Sequence, residues 1–329
     1  MMQTRTFGRA GFEVGVVGFG AWAIGGTWGE VSEADARAAV HAALDEGVTF
    51  IDTADVYGDG RSERIVRDVL KERGGERPIV ATKAGRRLNP HVAEGYNAEN
   101  LGAFVDRSIQ NLGVERIDLL QLHCPPTPVY YMPDAFEALD GLVAAGKLRS
   151  YGVSVEKVEE ALKAIEFPNV ASVQIIYNVF RQRPAELFFP RAREKGVGVI
   201  ARVPLASGLL TGKMSRDSAF AADDHRSFNR HGEAFDVGET FSGVPFEVAL
   251  DAVEELRAIL PAQVPMAQAA LAWCLVDEAV TVVIPGAKNP EQARGNAAAA
   301  RLSALPEETM AGVRDVYRRR IAPFVHQRW

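Results

Sequence analysis

The sequence predicts an α/β fold built on parallel strands, and two observations carry that prediction. Eight short apolar, β-branched runs recur along the 329 residues, and helical patterns fill the intervals between them. The runs are continuous rather than alternating, which suits strands buried on both faces. They fall at 14–18, 49–52, 79–82, 119–122, 150–154, 173–177, 198–201 and 281–284. Strands and helices alternating in this way imply right-handed crossovers. Periodicity alone leaves a closed barrel and an open doubly wound sheet both available.

The helical intervals carry their own punctuation. Ser32, three residues before Asp35, is an N-cap signal for a helix that ends near Gly47. Ile65, Val66, Val69 and Leu70 mark a second stripe. Leu101, Phe104, Val105, Ile109 and Leu112 mark a third, stopped by Gly113. Asp134 and Glu137 open a fourth helix that closes at Gly146, and Val158, Ala161, Leu162 and Ile165 give a fifth. A sixth covers 186–195 and closes at Gly196. Two more, 246–260 and 265–276, precede the last strand, and another covers 306–320. Residues 214–246 break the rhythm: a loop this long in a compact domain is functional or disordered. It carries His225, Arg226, Arg230 and His231.

Composition narrows the class of protein. Hydrophobic residues make up 47% and charged residues 24%, enough apolar material for one large domain over 1–329. A net charge of −6 lacks the basic footprint of a nucleic-acid binder. The basic run at Arg314 and Arg318 to Arg320 reads as a solvated helix face. No apolar stretch approaches the ~20 residues of a membrane span. Cys124 and Cys274 make no disulfide framework. A cytoplasmic protein without nucleic-acid or membrane partners is the expectation; nothing in the sequence assigns an oligomeric state.

Familiar nucleotide motifs miss. Gly18-Phe19-Gly20 is followed by Ala23 where a dinucleotide fingerprint needs glycine, and the 208–214 stretch GLLTGKM departs twice from a phosphate loop. The six histidines show no metal spacing, so no metal is expected, and His225 with His231 reads as a structural or solvated pair.

The chemistry gathers at strand ends. Asp52 closes one run, with Tyr57 five residues on. Lys83 closes the next and His123 the one after. Carbonyl reduction needs hydride on carbon and a proton on oxygen. A tyrosine, with a pKa of about 10, is a protonated donor at neutral pH. A neighbouring lysine cation lowers that pKa, an aspartate holds the lysine, and a histidine can hydrogen-bond the carbonyl oxygen. Each residue alone has a plain structural explanation; four on three successive strand ends argue together. Cys124 has no partner base and reads as packing.

These blocks carry a resemblance. FIDTADVYG (50–58), ATKAG (81–85) and LQLH (120–123) resemble successive blocks of the aldo-keto reductase family, and GFGAW (18–22) resembles its first-strand loop, over about 6–296. The resemblance implies a (β/α)8 TIM barrel with an N-terminal β-hairpin (5–16), two extra helices and a long loop after strand seven. It implies an NADPH/NADP+ coenzyme and a small-molecule carbonyl substrate, with Asp52, Tyr57, Lys83 and His123 as the catalytic set. Gly20 and Ala21 fall on coenzyme positions. Ser154 and Gln174 match the carboxamide contacts, although Val155 stands where a polar residue is usual. Arg202 replaces an aromatic that stacks on nicotinamide. A guanidinium can also stack, and its charge would disfavour the oxidised coenzyme. Val203, Pro204, Leu205, Ser207, Leu210 and Lys213 belong to the pyrophosphate segment. Gly286, Lys288, Gln292 and Asn296 belong to the adenosine end, where Gly295 replaces a common glutamate and Lys288 favours NADPH over NADH. Trp22 and Trp28, with Tyr57 and His123, would border the substrate; Tyr130 and Tyr131 are weaker candidates, and Arg226 and Arg230 could close over the coenzyme. Two other readings stand beside a carbonyl reductase: an NADPH-binding redox-sensing regulatory subunit and a non-redox lyase or epimerase.

Overall fold

A computed structural model describes residues 2–26 and 28–329. Its strands are β1 (Thr4–Phe7), β2 (Phe12–Gly15), β3 (Phe19–Gly20), β4 (Phe50–Asp52), β5 (Ile79–Ala84), β6 (Ile117–His123), β7 (Leu148–Ser154), β8 (Val170–Ile176), β9 (Gly198–Arg202) and β10 (Val280–Val283). Strands β3 to β10 pair in parallel, each with the next in sequence. Parallel bridges between Val17 and Val283 and between Gly20 and Gly286 join the two edges. The Gly18 amide donates to Val283 O at 2.8 Å and the Val283 amide to Val16 O at 2.9 Å. The sheet therefore closes on itself, and the choice left open by periodicity resolves as a (β/α)8 barrel.

The first strand differs from its expected place. Residues 14 and 15 belong to β2, which pairs antiparallel with β1, and the barrel strand begins later, at Phe19. The apolarity of the 14–18 run has a different cause. Phe7, Phe12 and Val14 of the hairpin pack with Phe50, Ala81, Leu119, Ile200 and Val282 from the barrel strands. The hairpin thus plugs the barrel floor, and Val14 is buried because it is part of the plug.

The helices follow the caps. Ser32 accepts from the Asp35 amide at the start of Glu33–Asp45, and Asn97 caps Ala98–Leu112, which Gly113 ends in a left-handed conformation. Phe246–Ile259 and Met266–Leu275 precede β10. The helix expected over 306–320 is α-helical only over Glu307–Val316; a π-turn, Tyr317–Ile321, follows. The 214–246 segment is ordered around a short helix, His225–Phe228, and two 3-10 turns, Val237–Glu239 and Phe241–Gly243. Among the described residues, no helix is long and apolar enough to cross a membrane.

Candidate active site

Parallel strands put all their C-terminal ends at one mouth. Asp52 ends β4, Lys83 lies one residue before the end of β5, and His123 ends β6. Tyr57 reaches the same place from the loop after β4, which needs a close approach. A Cβ on Gly25 would sit 2.6 Å from that of Tyr57, and one on Gly58, at φ +60°, would collide with Gly25 O. Two facing glycines let the Tyr57 backbone pack against the loop after β3.

The four side chains meet. Lys83 Nζ donates to Asp52 Oδ2 at 2.6 Å, to the Tyr57 hydroxyl at 3.2 Å and to Thr53 O at 3.0 Å. The His123 ring stands edge-on to the Tyr57 ring at 5.8 Å. Asp52 Oδ1 accepts from Gln121 Nε2 at 3.0 Å and Gln174 Nε2 at 2.7 Å. The carboxylate is thus held on both oxygens, and it fixes the ammonium in turn.

Burial sets the protonation states. It pushes Lys83 down, but Asp52 and Tyr57 outweigh it, and the ammonium ends above its ordinary value. Tyr57 departs from expectation. Burial raises the phenol above its ordinary value, and Lys83 pulls back only part of that rise. The lysine therefore moderates a desolvation penalty rather than making the phenol unusually acidic, and Tyr57 stays protonated at neutral pH. His123 is driven well below the ordinary imidazole value by burial, then by the Arg86, Lys83 and Arg202 charges. Its Nδ1 has no hydrogen-bond partner among the described residues.

A neutral buried histidine makes stability depend on pH with a definite sign. Its folded pKa lies below the unfolded value of about 6.5, so the unfolded chain binds the extra proton. The contribution is complete above about pH 6.5 and is lost as pH falls from there toward the folded pKa, by up to ~1.4 kcal/mol per unit. Urea titrations of wild type and His123→Gln at pH 7.5 and 5.5 measure it. The gap between the two proteins should change over that interval; a constant gap counts against a neutral His123.

The residues read as coenzyme contacts take up the rest of the ring. Register puts Ser154 beside His123 and Gln174 beside Ser154. Arg202 ends β9, Gly286 follows β10, and Gly20 ends β3 with Ala21 next. Asp52, Tyr57, Lys83 and His123 sit on or just after β4, β5 and β6, and the strand-end coenzyme candidates lie on or just after β7, β8, β9, β10 and β3 in unbroken order. Gly20 is forced, since a Cβ there would lie 2.6 Å from Ile284 O. After β9, Val203, Ala206, Ser207 and Gly208 all have positive φ, folding 203–213 into a tight cradle. Leu210 is buried in it, Pro204 and Leu205 form its entry, and Lys213 is exposed. Lys288 Nζ contacts Trp28 O, its amide donates to Gln292 Oε1 at 2.9 Å, and Asn296 Nδ2 donates to Gly286 O at 3.0 Å.

A family model described as the Aldo/keto reductase family matches residues 16–318. The chain belongs to the aldo/keto reductase family. It is 31% identical over 296 residues to the aldo-keto reductase YhdN of Bacillus subtilis (strain 168), covering 88% of this chain and 86% of that protein. It is 26% identical over 315 residues to the NADH-specific methylglyoxal reductase of Escherichia coli (strain K12), covering 91% and 93%. Among solved structures, the holo form of aldo-keto reductase AKR11C1 from Bacillus halodurans superposes with a TM-score of 0.77 at 26% identity, over 96% of each chain. Aldo/keto reductases are oxidoreductases that use nicotinamide coenzymes, which sets the class of this site.

Within that frame, Arg202 has neighbours the sequence did not suggest. Its Nη2 donates to Glu156 Oε2 at 2.8 Å and Val155 O at 3.1 Å, and its Nη1 lies 3.6 Å from Glu239 Oε1. Arg86 also binds Glu239. Burial pushes Glu156 up to about 8 against the pull of Arg202. Burial pushes Glu239 the same way, but Arg86 and Arg202 override it and hold that carboxyl low. Glu239 thus faces two cations, Arg86 and Arg202, and its carboxylate offsets part of their combined charge. Cys124 is a buried thiol pushed up to about 12 by its burial, as its packing role requires.

The long loop supplies what sequence reasoning missed. His225 is fully buried, with its ring 4.8 Å from that of Trp22 and 4.3 Å from that of Trp28, so of the structural and solvated readings the structural one holds for it, while His231 is exposed. Trp22 lies near-parallel to the Tyr57 ring at 6.0 Å, and Phe235 meets Trp22 edge-on at 5.9 Å. Arg226 is bound by Asp224 and lies over Trp28, while Arg230 lies over Phe241 and Phe246. Tyr130 is buried beneath the mouth, donating to Ser154 O, and Tyr131 is 62% exposed against Lys163, so neither borders Tyr57. No periodicity marks His225, Phe235 or Glu239, because a loop's contacts depend on where it folds back.

Proposed function

We propose that this chain reduces a small aldehyde or ketone to an alcohol with NADPH, using Tyr57 as the general acid. The observation that carries the proposal is the Tyr57 hydroxyl held 3.2 Å from a Lys83 ammonium that Asp52 fixes at 2.6 Å. The residues present fit a nicotinamide dinucleotide: the left-handed cradle at 203–213 exposes backbone to a pyrophosphate, and Gly20 and Gly286 keep the neighbouring wall free of side chains. Ser154 and Gln174 would hold the carboxamide, with Arg202 close by. Val203, Pro204, Leu205, Ser207, Leu210 and Lys213 would hold the pyrophosphate, and Lys288, Gln292 and Asn296 the adenosine end.

When bound, the reduced coenzyme supplies hydride to the carbonyl carbon. The remaining need is a proton on oxygen. Tyr57 supplies it from a hydroxyl that burial keeps protonated, and Lys83 stabilises the phenolate left behind. Neutral His123 donates a hydrogen bond to the same oxygen and adds no positive charge that would compete with Lys83. Trp22 and Trp28 border the carbonyl's substituents.

The coenzyme preference rests on charge. Burial and the Arg226 cation lower the Lys288 pKa, and a 2′-phosphate would relieve that strain. Lys288→Ala should raise the KM for NADPH ~10-fold or more, the scale of one charge-assisted hydrogen bond, and leave that for NADH within ~2-fold. Initial rates of NADPH and NADH oxidation over aldehydes, dicarbonyls and ketones test both statements. Turnover with NADH alone would transfer the proposal to the other coenzyme. No turnover on any carbonyl would remove the reductase reading.

A further inference from the structure

Trp329 lies far from Asp52 and Tyr57 in sequence, yet it is 4% exposed. Its indole Nε1 donates to Asp236 Oδ1 at 2.9 Å, and the Arg181 guanidinium covers its ring at 4.1 Å. The ring lies on loop backbone: a Cβ on Gly243 would sit 2.5 Å from it, and one on Gly238 3.0 Å. Arg181, itself buried, donates to Ser242 O at 3.2 Å. Indole and guanidinium therefore clamp 236–243 from below.

That segment and the residue before it carry two groups beside the mouth. Phe235, next to Asp236, packs edge-on against Trp22, which in turn covers the Tyr57 ring. Glu239, three residues on, lies between Arg86 and Arg202. We propose that Trp329 is a positioning residue for the carbonyl substrate: through Asp236 it sets Phe235 over the mouth and Glu239 between its two arginines. A buried donor and a half-buried acceptor at 2.9 Å hold the loop in place against the barrel. The hydrogen bonds and cation contacts of Trp329 run to Asp236, Arg183, Arg181 and Arg328, so its effect falls on substrate binding rather than on proton transfer.

The kinetic arm of the test rests on the reductase reading; a proteolytic arm does not. Trp329→Ala should raise the carbonyl KM about 10-fold, with kcat and NADPH affinity within about 3-fold of wild type. Trp329→Phe keeps a ring for Arg181 but loses the N–H that Asp236 accepts, so KM should stay raised by more than about 3-fold. The two residues share the indole–carboxylate hydrogen bond, and Asp236 Oδ1 also accepts from the Gly238 amide, so Trp329→Ala/Asp236→Ala should cost less than the sum of the two single changes. Trypsin should cut after Arg226 or Arg230 about 10-fold faster in Trp329→Ala, assayed well below the melting temperature of either protein. If Trp329→Ala does not fold, Asp236→Ala carries the same readouts with the indole still in place. Unchanged KM and cleavage, additive effects in the double variant, or a loss of NADPH affinity matching the rise in KM would each overturn the proposal. If wild type turns over no carbonyl, the reductase reading fails, and the trypsin comparison alone decides the role of Trp329.

Discussion

Tyr57→Phe should lower kcat by at least ~100-fold, the low end of what a positioned general acid contributes. The change removes one oxygen and keeps the ring. The stacking with Trp22 and the edge-on contact with His123 remain, so binding of NADPH should stay within ~2-fold. Lys83 loses an acceptor at 3.2 Å but keeps Asp52 at 2.6 Å and Thr53 O at 3.0 Å, so the barrel should not unfold. A loss confined to kcat identifies an interaction made in the transition state. A variant as active as wild type would end the assignment of Tyr57, and a variant that no longer binds NADPH would reassign it to the coenzyme.

Asp52→Ala should have the largest effect on stability. Lys83 and Asp52 have side chains only 1% and 4% exposed, and removing one partner of such a pair leaves the other charge uncompensated, at a cost of ~3–5 kcal/mol. Gln121 and Gln174 lose their shared acceptor as well. Lys83→Met in the same background removes the stranded charge and should recover more than half of the loss. Urea unfolding of wild type, Asp52→Ala, Lys83→Met and the double variant closes the cycle. A double variant less stable than Asp52→Ala would show that Asp52 acts on stability through something other than the lysine. In wild type the raised Lys83 pKa places the pair's contribution below the unfolded lysine value. It is lost only as pH climbs through the folded one, so it is complete at neutral pH.

Much of this was legible in the order of residues. Strand-end positions for Asp52, Lys83 and His123 follow from where apolar runs stop, and a parallel fold puts those ends together whatever its closure. The first strand misled because buried apolar residues look alike in a barrel wall and in a plug: Val14 satisfies either. Gln121 lay unremarked between Leu120 and Leu122, although its alternation with them already turned it toward Asp52. The lysine's influence on Tyr57 was read in the right direction, but without burial the sum came out with the wrong sign. Arg202 gave no hint that Glu156 and Glu239 would surround it, since one follows β7 and the other sits in a loop without periodicity.

The hairpin that fills the barrel floor leaves the catalytic chamber with no back door. Phe7, Phe12 and Val14 seat against the inward side chains of five strands. At the other end, Trp22, Trp28 and Phe235 form an aromatic rim beside Tyr57. With the floor plugged, substrate and product of the proposed reaction would share the rim side, and product would have to clear that threshold before the next substrate could cross it.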